Sequence, residues 1–111
     1  MGAYDAIERK LIDNQPIADF YSDTFSACFN YAWELQVVKL GADGNPLITL
    51  EVSMDEVNWD TYHIESTNYE MIDNSVTFFD DLFAFKHFRI GVQANGTTAG
   101  NITATMFLKD R

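Results

Sequence analysis

The chain has 111 residues, with 7 basic and 17 acidic side chains and a net charge of −10. This balance argues against nucleic-acid binding by phosphate neutralisation and against an anionic membrane surface, and it favours a basic partner or divalent cations. Hydrophobic residues make up 47%, which is enough for one compact core.

The N-terminal segment, residues 1–17, is predicted to be a short helix or an extended arm. Tyr4, Ile7 and Leu11 recur at helical spacing, and Pro16 ends the pattern. Such an arm can pack on a neighbouring subunit or on its own domain, so these three side chains are candidate interface residues. The start lacks a basic stretch followed by an apolar run, so we expect a product without a signal peptide that is intracellular or released by lysis.

From Phe20 onward the apolar residues recur with period two, which is typical of strands with one buried face. Residues 31–37 and 48–54 both alternate in this way. The segment 41–46 between them is rich in Gly, Asp, Asn and Pro, which are turn residues. Together these segments predict a β-hairpin.

Shorter strands are predicted near 59–65 and 75–79, and a last hairpin over 86–109. Many short strands with almost no helix predict an all-β fold, a single antiparallel β-sandwich of jelly-roll type over residues 18–111. The residues at the inward-facing positions are predicted to form the core, and Trp59 is predicted to close one end of the sandwich. These residues are Trp33, Leu35, Val37, Leu50, Val52, Trp59, Phe88, Ile90, Ile102 and Met106.

Catalytic motifs of hydrolases, P-loop proteins and dinucleotide-binding enzymes do not occur, so we expect a protein that is not an enzyme. His63 and His87 lie on different predicted strands, and packing or surface roles are a simpler interpretation than a shared metal site. The single cysteine, Cys28, excludes an intrachain disulfide, and with no nearby base it is interpreted as a small buried hydrophobe.

Acidic residues cluster in two predicted loops. Asp55, Glu56 and Asp60 surround Trp59, and a second pair lies at 80–81. Carboxylates at the loop ends of a sandwich can bind Ca²⁺, although the spacing of an EF-hand is absent. A solvated acidic surface is the simpler interpretation, so no cofactor is expected and Ca²⁺ is the one candidate.

The segment 78–88, FFDDLFAFKHF, holds five Phe among eleven residues, too many for one strand face. Some of them must cover the end of the sandwich or lie in an interface. Phe79, Phe83 and Phe85 are therefore candidate interface residues. Aromatic side chains at loop ends could also form a platform for sugars.

The segments YAWELQVVKLGADGNPLITLEVSMDEVNWDTY and FAFKHFRIGVQANGTTAGNITATMFLKD resemble a group of small phage virion proteins. Characteristic of that group are a Tyr-x-hydrophobic-Gln-Val strand, a Gly-rich turn, a Leu-x-Val-Ser-x-Asp-Gly-x-x-Trp corner, a Phe-x-Tyr-hydrophobic-Arg strand and a Gly-Thr-rich hairpin. The matching positions are Tyr31 to Val37, Gly41 to Asn45, Leu50 to Trp59, Phe85 to Arg89 and Gly96 to Lys109. Glu56 replaces the Gly of the corner, and because Glu resists positive φ we expect another type of turn there.

The resemblance implies a non-enzymatic virion structural protein, most simply a capsid decoration protein, or a component of the neck, tail or baseplate. The expected partners are other virion proteins and further copies of the chain, without nucleic acid or membrane, and the expected location is the virion. The pattern also resembles discoidin-like sandwiches, whose loops can bind glycans or cells. A carbohydrate- or cell-surface-binding module is therefore the alternative.

Overall fold

A computed structural model describes residues 6–26, 31–62, 68–80 and 86–110. Within these ranges the chain forms ten β-strands and no helix. The strands are β1 (Ala6–Pro16), β2 (Phe20–Tyr21), β3 (Phe25–Ser26), β4 (Tyr31–Leu40), β5 (Leu47–Ser53), β6 (Asp60–Thr61), β7 (Tyr69–Glu70), β8 (Ser75–Asp80), β9 (His87–Gln93) and β10 (Asn101–Asp110).

The strands form two antiparallel sheets. Sheet A has the order β1-β10-β4-β8, and sheet B has the order β2-β9-β5-β6, with β3 also on β9 and β7 also on β5. If β2 with β3, and β6 with β7, are each taken as one interrupted strand, there are eight strands, and the chain changes sheet at every connection except that between β5 and β6, which pair within sheet B. This is the arrangement of a jelly roll. The all-β fold of antiparallel sheets, predicted from the alternating pattern, is confirmed.

The core lies between the two sheets and is built from the inward residue of each alternating pair. Of the ten predicted core residues, eight are buried: Trp33, Leu35, Val37, Leu50, Phe88, Ile90, Ile102 and Met106. Val52 is partly buried and packs against this core. The rings of Phe88 and Tyr62 approach Trp33 to 5.8 and 5.9 Å between centroids, as tilted aromatic pairs do.

Of the two predicted forms of the N-terminal segment, a short helix or an extended arm, the helix is wrong for residues 6–16, which form β1 and pair with β10 along its length. Register shifts on either side of Ile12 interrupt the alternation, and both Leu11 and Ile12 are buried in the core. Ile7 and Leu11 are four residues apart, a spacing that fits one face of a helix and also one face of a strand, so the pattern did not distinguish the two. Leu11 is thus part of the core of its own domain, and its prediction as an interface residue is wrong.

Both predicted hairpins are also wrong. β4 lies in sheet A and β5 in sheet B, and β9 and β10 are divided in the same way. Alternation identifies the buried face of a strand, but it does not tell whether the next strand pairs beside it or packs opposite it. The β4–β5 and β9–β10 loops therefore cross between sheets, which stack roughly 10 Å apart in sandwiches.

These two loops lock into each other at one end of the sandwich, hereafter the loop end. Asp43 in the first loop accepts a hydrogen bond from the backbone N–H of Thr98 in the second at 2.8 Å. Gly44 fits against Thr97, since a Cβ at Gly44 would come within 2.8 Å of the Thr97 hydroxyl oxygen. The loop end is thus built from contacts between loops far apart in sequence.

Candidate functional site

The outer face of sheet B carries a guanidinium stacked on two aromatic rings. The Cζ of Arg89 on β9 lies 3.8 Å from the ring centre of Tyr21 and 4.1 Å from that of Trp59. Its Nε donates to the Oε1 of Glu51, the directly opposite residue on β5, at 2.7 Å. Trp59 is half-buried on this outer face and lies outside the core, so its prediction as a core residue is wrong.

A groove of about 300 Å³ opens beside this stack. Tyr21, Gly91 and Thr49 lie in one row across β2, β9 and β5. Gly91 has no side chain, and a Cβ there would come within 3.3 Å of Tyr21 Cε1, so the tyrosine ring can lean across β9. The remaining lining is supplied by Asp19, Phe20, Glu51, Val92 and Gln93.

The acidic corner after β5 is a braced turn. The carboxylate of Asp55 accepts hydrogen bonds from the backbone N–H groups of Asn58 and Val57 at 2.8 and 2.9 Å. These donors, with the Asn58 amide, hold the pKa of Asp55 below its ordinary value. A carboxylate occupied by N–H donors acts as a turn brace. Within the described parts of the chain, no group of three or more His, Cys, Asp or Glu is placed to hold a metal ion.

Glu56 adopts a left-handed φ of 63°, so the expectation of another turn type there is wrong. Its backbone N–H donates to the Ser53 hydroxyl at 2.9 Å, and its carbonyl accepts from the indole N–H of Trp59 at 3.3 Å. Its carboxylate lies 3.1 Å from His87 Nδ1. These three contacts fix the strained conformation that Gly adopts freely.

His87 joins a cluster that resembles a Ser–His–acid triad but lacks its geometry. Ser26 Oγ lies 2.7 Å from His87 Nδ1, the same nitrogen that faces Glu56. A nucleophile and an orienting acid must contact opposite ring nitrogens for the proton to pass between them. The cluster therefore joins β3, β9 and the corner without activating Ser26.

The outer face of sheet A carries the second candidate surface. Glu8, Phe107, Glu34 and Phe79 stand directly opposite one another across β1, β10, β4 and β8. Phe79 is 69% exposed and Phe107 38%. Residues that are directly opposite in antiparallel strands lie on one face, so two aromatic rings alternate with two carboxylates in a single row.

The predicted site residues have separate positions in the fold. Phe79 is exposed, as an interface residue must be, while its role in an interface stays a prediction. Ile7 belongs to β1, whereas Tyr4, Phe83 and Phe85 lie outside the described residues, as do Cys28 and His63.

Sequence reasoning missed Lys39, Tyr21 and Arg89. Lys39 follows Trp33, Leu35 and Val37 in the same phase and is 5% exposed. A charged residue that continues an inward-facing series is a signal available in the sequence. Tyr21 and Arg89 have no such signal, because their contact depends on β2 pairing with β9.

Comparison of the chain with models of known protein families, with curated proteins and with solved structures returned no match. Among the described residues, no helix is long and apolar enough to cross a membrane.

Proposed function

We propose that the chain is a non-enzymatic structural protein of a phage virion, a capsid decoration or accessory protein that docks through the outer face of sheet A. The observation that carries the proposal is the row of Phe107 and Phe79 alternating with Glu8 and Glu34. The solvated face of an antiparallel sheet ordinarily presents polar side chains. Exposed aromatic rings on β10 and β8, the two strands that flank β4, favour a face that another protein covers.

The charge of the face determines the kind of partner. Glu8 and Glu34 flank the rings, and the whole chain carries a net charge of −10. Two copies meeting through this face would bring like charges together, which costs free energy at short range. A neighbouring virion protein with an apolar patch bordered by Lys or Arg complements the row, so self-association would use another surface.

Two further considerations support this function. The sequence from Tyr31 to Trp59 and from Phe85 to Lys109 resembles small phage virion proteins. Jelly rolls are used by viral capsid proteins, and also by lectins, so the fold is compatible with the proposal by analogy.

The decisive measurement is quantitative mass spectrometry of purified phage particles. A copy number comparable to that of the major capsid protein is expected for a decoration protein. A few copies per particle would instead indicate that the protein is located in the neck or tail. Absence from the particles would overturn the proposal.

Particle incorporation of variants then tests the docking face. Phe79→Ser should lose incorporation while keeping the melting temperature of the parent protein, because its ring is 69% exposed. Ile72→Ser is the matched control, since Ile72 is 70% exposed in the loop after β7. Equal incorporation of both variants would contradict docking through sheet A.

A further inference from the structure

The groove on sheet B has the composition of a site for a small polar ligand. Its volume of about 300 Å³ lies at the lower end of the range for ligand pockets, roughly 300–1,000 Å³. The Tyr21 side chain at its edge is 58% exposed. The edge of its ring lies on Gly91, and Arg89 stacks on the ring, so an aromatic platform is held against the sheet.

The charged side chains at the groove disfavour the binding of both anions and cations. Arg89 is paired with Glu51, and these side chains are only 20% and 17% exposed, so little free positive charge is available to an anion. Asp19 adds a carboxylate at the other end of the groove, which further disfavours anions. A cation on the Tyr21 ring would be repelled by the Arg89 guanidinium, which stacks on one face of that ring. The groove therefore favours an uncharged ligand.

Hydrogen-bonding groups surround the tyrosine. Asp19 Oδ1 accepts from the backbone N–H of Ala94 at 2.8 Å, which orients the carboxylate. The Thr49 hydroxyl donates to the Asn68 side chain, so its oxygen keeps acceptor capacity. Gln93 is exposed and supplies an amide with both donors and an acceptor. Such groups suit the hydroxyls of a polyol.

We propose that this groove is a binding site for a neutral carbohydrate. The C–H face of a sugar ring would stack on the face of Tyr21 that Arg89 does not cover, and its hydroxyls would bond to Asp19, Thr49 and Gln93. The volume suits roughly one or two sugar rings. The assignment does not rest on the virion function, because the groove and the Phe79 row lie on opposite sheets.

The test uses the full chain and a panel of neutral disaccharides, namely cellobiose, maltose, lactose and N,N′-diacetylchitobiose. Saturation-transfer NMR at millimolar sugar should detect binding of at least one, and titration gives its Kd. Tyr21→Ala should weaken that binding about tenfold or more, while Tyr21→Phe keeps the stacking and stays near the parent affinity. Phe79→Ser should bind the sugar as the parent does, although it fails to enter particles.

Three outcomes would overturn the proposal. One is that none of the neutral sugars binds. Another is that binding survives Tyr21→Ala unchanged in a variant that melts as the parent does, which would place the sugar elsewhere. The third is that heparin disaccharide or choline binds in place of the neutral sugars, which would refute the charge argument. Loss of binding in Tyr21→Ala together with an intact parent-like melting curve supports the groove.

Discussion

Replacing Lys39 by Met tests whether a buried ammonium group holds the loop end together. The Nζ of Lys39 donates to three oxygens, the Met71 carbonyl at 2.6 Å, the Asn45 side chain at 3.1 Å and the Gly44 carbonyl at 3.2 Å. It thereby joins β4 to the β4–β5 loop and to the loop after β7. Met keeps the apolar stem and removes the donors, so the substitution isolates the ammonium group.

The expected cost follows from the surroundings of each acceptor. The bond to the Met71 carbonyl is buried, and a hydrogen bond from a charged donor contributes about 1.5–3 kcal/mol. The other two acceptors are only partly buried, so water can replace some of the hydrogen bonding that they lose with the ammonium group. Removing the ammonium also relieves its own desolvation cost. We therefore expect Lys39→Met to lower the free energy of unfolding by about 2–4 kcal/mol.

Urea unfolding followed by circular dichroism measures this difference, provided that the m-value is unchanged. Lys10→Met is the matched control, because it makes the same change in charge at a side chain that is 54% exposed and only 3.8 Å from Asp13. Exposed pairs of this kind contribute about 0–1 kcal/mol. Equal unfolding midpoints for the two variants would refute the idea that the Lys39 ammonium stabilises the loop end.

Substitutions at three other positions test the core and the corner. Trp33→Ala should cost about 3–5 kcal/mol in urea unfolding, because Trp33 is 2% exposed; an unchanged midpoint would contradict its central place. Glu56→Gly should unfold no more easily than the parent, whereas Glu56→Val should lose about 1 kcal/mol or more at a φ of 63°. A Glu56→Gly variant that is clearly less stable than the parent would show that the His87 contact outweighs backbone strain. The lowered pKa of Asp55 adds stability that is present above the ordinary value of 3.8 and is lost as the pH falls below it. Asp55→Asn should therefore flatten the fall in melting temperature below about pH 4, and an unchanged slope would count against the brace.

The alternating pattern was sufficient to predict β4, β5, β8, β9 and β10 and most of the core. β10 illustrates this, since Ile102, Ala104, Met106 and Leu108 are all buried at 0% exposure. Its long strand pairs on both sides, so one face stays inward along its length. The prediction failed in β1, where the bulges around Ile12 break the alternation.

The pairing of the strands, and therefore the residues that meet at the candidate sites, could not be predicted from the alternating pattern alone. The turn residues at 41–46 predicted a change of direction correctly but could not distinguish a hairpin from a crossing between sheets. The groove on sheet B depends on the pairing of β5 with β9, which no turn signal in the sequence indicates. Glu51 and Arg89 are then directly opposite, although 38 residues separate them in sequence.

The two proposed surfaces are related by the geometry of the sandwich. Sheets A and B enclose one core, so their outer faces point in opposite directions. A copy docked through Phe79 and Phe107 would turn Tyr21 and its groove away from the particle. A neutral glycan on a host surface could then reach the groove without disturbing the docking face. The two functions should therefore be separable. In particles that carry Tyr21→Ala, the copy number of the protein should stay at the parent level. The same particles should no longer be retained on the immobilised sugar that binds the free protein. Loss of both properties in that single variant would show that the two faces are not independent.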